Sequence, residues 1–265
     1  MSTVRSTLGR AVGRAGLVVV VLLAAVAGLG SPAAALTPDE HFVIAVYEDF
    51  LQRGPTSDEL TLWTTYLGSN SRTAMASSLL GGDEFADLWV VGTRYLYLHD
   101  VDPDDPSFAA DQSALHASGD FVAGEVSVLA GSPYFALHGS NNSDYVEGLF
   151  HDVLLRPSDP SGLSFWVGRL NAATWTRAAV ATAFIRTTEA ANRRVSGTVG
   201  ATSCAATELT DEDALPSGSY CLVLDRLADP SGATYWSGQL AGSAQLPAVW
   251  ASLVGSSEYF NHAQL

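Results

Sequence analysis

The sequence predicts an all-α fold in which tandem three-helix units of about 50 residues pack into one array behind a signal peptide. A recurring motif is the first observation behind this prediction. It reads LLRPSDPSGLSFWVGRL at 154–170, LDRLADPSGATYWSGQL at 224–240 and, more divergently, LQRGPTSDELTLWTTYL at 51–67. Because a short amphipathic helix cannot bury its apolar face alone, we expect the copies to stack on one another.

The second observation is apolar residues at helical spacing around each motif. Before the motif, one face of a first helix carries Phe42, Val43, Val46, Tyr47, Phe50 and Leu51 in one copy, and Tyr145, Val146, Leu149, Phe150, Val153 and Leu154 in another. After the motif, a third helix carries Leu79, Leu129, Phe184 or Leu253 and ends near a Glu-Phe or Glu-Tyr pair.

Helix starts are marked by residues that cap helix N-termini. Thr37 and Glu40 form a capping box around Pro38, and Thr56 pairs with Glu59 in the same way. The predicted N-caps are Thr37 for the first helix and Thr56, Asp104, Asp159 and Asp229 for the second helix of successive units.

Chain order then gives four units, at 37–88, 89–140, 141–193 and 215–265. The stretch 194–214 is rich in small and polar residues and lacks periodicity, which indicates a loop inserted before the last unit.

Three of the units share an Arg, a Trp ten residues later, and a Glu at the end of the third helix. The sets are Arg53, Trp63 and Glu84; Arg156, Trp166 and Glu189; Arg226, Trp236 and Glu258. The second unit is degenerate, with Val101, Asp111 and Tyr134 in these places. Because the second unit lacks all three residues together, we expect them to form one local constellation. It is either a structural clamp in which Arg pairs with Glu near the Trp, or the lining of a repeated ligand groove.

Residues 1–35 have the three parts of a secretory signal: arginines, an apolar stretch and small residues before a cleavage site predicted after Ala35. The apolar run of 16 residues, 15–30, is short for a membrane span, although an uncleaved anchor remains an alternative. The protein is therefore expected to be secreted or at the cell surface.

Export places the only two cysteines, Cys204 and Cys221, in an oxidising compartment, where an even count predicts one disulfide. Closing this loop is expected to contribute about 3 kcal/mol by the chain-entropy estimate.

The charge balance limits the partners. The chain has 28 acidic and 13 basic residues, no lysine and a net charge of −15, which disfavours nucleic-acid binding. No metal or cofactor is predicted; one weak calcium candidate is formed by Asp100, Asp102, Asp104 and Asp111, whose spacing departs from an EF-hand at the glycine and the last ligand.

No catalytic motif is recognisable: there is no metalloprotease, nucleophile-elbow or phosphate-loop pattern, and the six histidines include no i,i+4 pair. The sequence therefore predicts a non-catalytic extracellular interaction or scaffold module that binds a protein, an envelope glycan or a second copy of itself. The alternatives are a secreted hydrolase of envelope polymers that uses acidic residues, and a calcium-dependent surface-layer component.

The motif L-x-R-x-x-D-P-x-G-x-x-x-W-x-x-x-L, followed by G-S-x-E-Y/F, resembles the bacterial family called domain of unknown function 4214. The resemblance is specific in the third and fourth units, fair in the first and weak in the second. It implies an exported or surface-associated bacterial protein, and it implies no activity for the repeat itself.

Overall fold

The structure is a computed structural model that describes residues 35–99, 104–197, 204 and 218–265. In this part of the chain all regular secondary structure is helical, which confirms the all-α prediction. The helices are α1 (Pro38–Leu51), α2 (Ser57–Leu67), α3 (Arg72–Leu80), α4 (Asp83–Leu98), α5 (Pro106–Ser118), α6 (Phe121–Ala130), α7 (Ser132–Leu137), α8 (Asn142–Asp152), α9 (Pro160–Asn171), α10 (Arg177–Ile185), α11 (Thr188–Ser196), α12 (Ser219–Leu224), α13 (Pro230–Ala241), α14 (Leu246–Val254) and α15 (Ser257–His262).

Each unit contains the three expected helices and a fourth one. The pairs Glu84-Phe85 and Glu258-Tyr259 do not end the third helix; they lie in the first turn of a new helix, α4 or α15. A glycine or a capping Ser interrupts the backbone just before that turn, which separates the two helices.

Two predicted boundaries lie inside helices. The fourth helix of unit one runs without a break into the first helix of unit two, so α4 crosses the expected boundary at 88/89. Helix α11 continues to Ser196, past the expected end of unit three at residue 193. Most of the predicted inserted loop lies outside the described residues.

Four of the five predicted N-caps occupy their places. Thr37 and Thr56 form complete capping boxes, and the carboxylates of Asp159 and Asp229 accept hydrogen bonds from the backbone of the first turn. The prediction of Asp104 was wrong, because Asp105 caps α5. Proline prefers the first helical position, so the helix starts at Pro106 and the residue before it is the cap.

The apolar residues form two cores, and each core joins different units. One core is centred on α1, α3, α14 and α15 of the first and last units and also takes in Phe108, Leu115 and Phe121 of unit two and Ala191 and Val195 of unit three. The other core contains α6, α8 and α10, from the second and third units. The third helices pack in pairs, α3 against α14 and α6 against α10. A linear stack would bring only successive units together, so contact between the first and last units means that this array closes on itself.

The closed array has an internal two-fold repeat. The unit-one part of α4 contacts α5 of unit two, where Gln112 donates to Asp87 at 3.0 Å, as α11 of unit three packs on α13 of unit four. If unit three takes the place of unit one and unit four takes the place of unit two, the α3–α14 pair becomes the α10–α6 pair. Two kinds of interface therefore alternate around the four units.

Side chains reproduce this repeat. The hydroxyl of Tyr259 donates to Asp49 at 2.6 Å, joining units four and one. The hydroxyl of Tyr134 donates to Asp152 at 2.7 Å, joining units two and three. Both tyrosines are buried at the third position of a short helix, and each aspartate lies four residues before the place of the motif Arg. The same polar contact thus closes both equivalent interfaces.

A cation–π contact accompanies each tyrosine. Arg72, which begins α3, lies 3.3 Å from the ring centroid of Phe260, and Arg177, which begins α10, lies 4.2 Å from that of Phe135. Such contacts are strongest with little water around them. The first turns of α3 and α10 therefore anchor to the helices that carry the two buried tyrosines.

Cys204 and Cys221 lie at disulfide distance, with Cα atoms 5.4 Å apart. The predicted signal peptide lies almost wholly outside the described residues, so its cleavage stays a prediction. No described helix combines the length and hydrophobicity that a membrane crossing requires.

Candidate functional site

The structure brings the Arg and Glu of each predicted set together. Arg156 donates from Nε and Nη2 to the two carboxylate oxygens of Glu189, at 2.7 and 3.1 Å. Arg226 and Glu258 repeat this fork in unit four, with Nη2 at 2.9 Å from Oε2. In unit one, Arg53 binds Glu84 in the same way. Each pair ties the turn after the first helix to the start of the fourth.

The Trp takes a different place from the one predicted. Each Arg guanidinium lies over the aromatic ring six residues before it: 5.0 Å from the centroid of Tyr47, 4.9 Å from Phe150 and 5.0 Å from Tyr220. The sequence predicted Tyr47 and Phe150 only as part of an apolar helix face and did not single out Tyr220, although the constant distance of these residues from the Arg was a signal. They separate the Arg–Glu pair from the Trp.

The Trp contributes on the side of that ring away from the Arg, either through a hydrogen bond or through ring packing. Trp63 Nε1 donates to the hydroxyl of Tyr47 at 2.8 Å. In unit three the ring is Phe150, which has no hydroxyl, and Trp166 packs instead on Phe184, with centroids 5.4 Å apart. The constellation in unit one is therefore a layer of Glu, Arg, aromatic ring and Trp, and in unit three Phe184 lies between the ring and the Trp.

Unit one has a second carboxylate on its Arg. Glu59, the capping-box residue of α2, accepts from both terminal nitrogens of Arg53 at 2.8 Å. The hydrogen bonds from Arg53, and then that from the Thr56 backbone, lower the pKa of Glu59 to about 2. Arg226 likewise lowers the pKa of Glu258.

The depressed pKa gives a testable pH dependence. A carboxylate with a lowered folded pKa contributes stability above its ordinary pKa of 4.5, and that contribution is lost as pH falls toward about 2. Replacing Glu59 with Gln should therefore make the decline of unfolding free energy between pH 4.5 and 2 shallower, by at most about 1.4 kcal/mol per pH unit, the value for one proton. Urea unfolding at several pH values measures this slope, and an unchanged slope would contradict it.

The second unit replaces the constellation with a buried ion pair. Asp111 occupies the inward place of the Trp, and its carboxylate accepts from Arg94 Nη1 at 3.0 Å and from Ser127 at 2.8 Å. Arg94 also donates to Asp105 at 3.0 Å, and its side chain is only 1% exposed. This pair joins α4 to α5, whereas the Arg–Glu forks of the other units join the turn after the first helix to the start of the fourth.

The structure also corrects which residue of unit two stands in the Glu place. Glu84, Glu189 and Glu258 are each the second residue of the helix that follows the third helix, and the second residue of α7 is Pro133. Tyr134 is the third residue, equivalent to Tyr259. It is part of the interface between units and not a lost clamp residue.

The weak calcium candidate is not supported by the geometry. The Asp111 carboxylate is buried and already engaged by Arg94 and Ser127, while Asp105 and not Asp104 caps the helix. Asp100 and Asp102 lie outside the described residues. Among the described residues, no group of three potential ligand side chains is arranged around a metal position.

A second buried ion pair lies between the units. Arg194 from α11 donates to Glu125 on α6, and the hydroxyl of Tyr97 donates to the same carboxylate at 2.6 Å. The backbone carbonyl of Arg194 accepts from Ser219, which in turn accepts from the indole of Trp250 at 3.1 Å. This network connects all three later units, and its residues were not predicted to interact.

The second helices present a repeated exposed residue. Leu62, Phe165 and Tyr235, each directly before the motif Trp, are 60%, 49% and 58% exposed. Helices α2 and α9 contain no fully buried residue, so these helices form the outer surface of their units. The motif Trp faces inward and is partly buried, whereas its neighbour faces outward.

The surface of unit three adds a cation. Arg169 lies 4.3 Å from the ring centroid of Phe165 and 5.1 Å from that of Trp175. Trp175 in turn contacts Trp166, with centroids 5.6 Å apart. The result is an aromatic surface with one guanidinium held flat against it, which suits recognition by stacking and charge.

The comparisons with known proteins point to one family. No curated protein and no solved structure matches the chain. A family model described as Domain of unknown function (DUF4214) matches residues 126–194, from within α6 to nearly the end of α11. This segment contains the whole third unit, including its Arg–Glu fork and its exposed aromatic surface. Over residues 126–194 the chain therefore matches the DUF4214 family, which confirms the resemblance inferred from the repeated motif.

Proposed function

We propose that the mature chain is an extracellular, non-catalytic interaction module that holds a partner through the outer faces of its second helices. The observation that carries this proposal is the exposed large side chain at one repeated position, formed by Leu62, Phe165 and Tyr235. Folding does not require these side chains to be large, because they are turned away from both cores.

The Arg–Glu–Trp sets support the proposal by contrast. In each set the Arg and the Glu bind each other and join two helices, which fits the structural interpretation of these residues. The exposed neighbours of the Trp residues have no such internal role. Large apolar and aromatic side chains on a surface are typical of binding positions.

The predicted export and the negative charge of the chain favour a partner outside the cell. The N-terminal segment reads as a secretory signal, and the net charge of −15 disfavours nucleic acid. The partner class is an envelope protein or an envelope glycan.

A pull-down tests this function. Tagged residues 36–265 are incubated with native culture supernatant and envelope fragments, and bound protein and bound sugar are identified. A variant with Leu62→Ser, Phe165→Ser and Tyr235→Ser should lose the retained partner while keeping its helical circular dichroism. The matched control is Leu137→Ser, because Leu137 is also exposed, at 52%, but lies outside the second helices.

Two results would overturn the proposal. Equal retention by the triple variant and the wild type would show that the second helices are not the binding surface. Release of shortened envelope polymer during the incubation would show that the chain is a hydrolase.

A further inference from the structure

Two second helices carry complementary surfaces. On α2, Asp58 and Leu62 lie one turn apart on the outer face, and both are exposed. On α9, Phe165 and Arg169 lie one turn apart on the outer face, with Phe165 in the place equivalent to Leu62. One surface is apolar and acidic, and the other is aromatic and basic.

We propose that α2 of one molecule packs antiparallel on α9 of a second copy of this chain. The inference rests on the proposed interaction function and names a partner for it. Each molecule carries both halves of the contact, so the contact is heterologous and repeats from molecule to molecule into a ring or an open chain.

In the part of its own molecule that the structure describes, the guanidinium of Arg169 has no acidic partner. Each of the other nine described arginines has a carboxylate or a carbonyl oxygen within 4.0 Å. Within the described residues the Arg169 side chain has no hydrogen-bond or ion-pair partner, and its guanidinium lies against the rings of Phe165 and Trp175. A guanidinium already fixed against rings loses little conformational freedom when it binds a carboxylate.

The surroundings of Arg169 favour an acidic partner. Residues 160–188 contain three arginines and no Asp or Glu, in a chain that has 28 acidic residues. This stretch forms α9 and α10. Other parts of the same protein are acidic, so a second copy supplies the complementary charge.

Helix geometry then selects α2. When two antiparallel helices meet with Leu62 opposite Phe165, a residue one turn before Leu62 comes opposite a residue one turn after Phe165. These residues are Asp58 and Arg169, each about 6 Å along its helix from the apolar contact. Asp58 is exposed and has no hydrogen-bond or ion-pair partner among the described residues.

Helix α13 provides an internal comparison. It exposes Tyr235 at the equivalent place, but one turn away on either side it carries the neutral residues Ser231 and Gln239. A contact based on charge pairing therefore distinguishes α2 and α9 from α13.

The contact is small and weak. One helix on one helix buries less than the roughly 1,200 Å² of stable complexes, so association requires high concentration or confinement at a surface. The net charge of −15 opposes it at low salt, and screening beyond about 8 Å at physiological salt leaves the local pair effective.

Sedimentation velocity of residues 36–265 over a wide concentration range at physiological salt tests the inference. Arg169→Glu and Asp58→Arg should each weaken self-association about tenfold, and the double variant, which reverses the pair, should restore it. Arg169→Gln repeats the first test while keeping a long side chain against the rings. Gln239→Glu on α13 is the control and should leave association unchanged.

The outcomes separate this inference from the broader function. No association of the wild type, single variants equal to the wild type, or a double variant that is not restored would each overturn the self-contact. If the triple variant still loses an envelope partner in the pull-down, the interaction function stands and its partner is a different macromolecule. If neither association nor retention occurs, both proposals are wrong.

Discussion

Replacing Glu125 with Leu should lower the free energy of unfolding by about 3–5 kcal/mol, the cost of leaving a buried charge without its partner. Glu125 is 2% exposed and Arg194 is 6% exposed. The substitution also removes the acceptor of the Tyr97 hydroxyl, which donates to Glu125 at 2.6 Å. The effect is large because α6 and α11 belong to different units and meet through this pair.

The double variant Glu125→Leu, Arg194→Met separates charge from shape. It removes both charges, so it should be more stable than Glu125→Leu alone even though it carries one more substitution. The control is Glu48→Leu, which removes an exposed carboxylate from α1 and should change stability by less than about 0.5 kcal/mol. Urea unfolding measures all three. A double variant less stable than Glu125→Leu would refute the view that the unpaired arginine causes the loss.

Gly255→Ala should destabilise the protein by about 1–3 kcal/mol, because there is no room for a methyl group where α14 ends against α3. A Cβ built at Gly255 lies 2.7 Å from the backbone nitrogen and 2.8 Å from the Cα of Thr73. A side chain could turn away, but these backbone atoms cannot, so the two helices must separate. Since α3 and α14 join the first unit to the last, the substitution acts on the closure of the array.

Gly238→Ala is the matched control. Gly238 lies in α13 with nothing within 4 Å of a built Cβ, and alanine favours a helix by about 0.5–1 kcal/mol over glycine. Thermal unfolding should therefore move up slightly for Gly238→Ala and down for Gly255→Ala. Equal changes in the two variants would show that the α3–α14 contact tolerates extra volume.

Local chemistry explains which parts of the fold could be predicted. Thr37, Thr56, Asp159 and Asp229 cap helices because a side-chain oxygen reaches the free amides of the next turn, an interaction that spans three residues. The same reasoning placed the cap of α5 one residue too early, at Asp104. Alignment with the other units favoured Asp104, but the helix starts at Pro106, so Asp105 is the cap.

The Arg–Glu partners could be predicted for a different reason. Arg156 and Glu189 are 33 residues apart, too far for local chemistry to pair them. Their positions relative to the motif recur in three units, and this recurrence indicated that the two residues meet. Unit two had no such repetition. The pairing of Arg94 with Asp105 and Asp111 occurs once in the chain, and nothing in the sequence distinguished it from an exposed acidic turn.

By itself, the sequence determined the all-α class, the four repeated units, most helix starts and the Arg–Glu forks, since each follows from contacts within one unit. Only the tertiary structure decided that the array closes, that Tyr134 and Tyr259 fasten equivalent interfaces, and that Arg194 crosses to Glu125. These contacts join residues of different units, and identical local patterns allow several ways of packing units together. Burial of the third helices in pairs selects among them, and it also leaves the outer faces of α2 and α9 free for a partner.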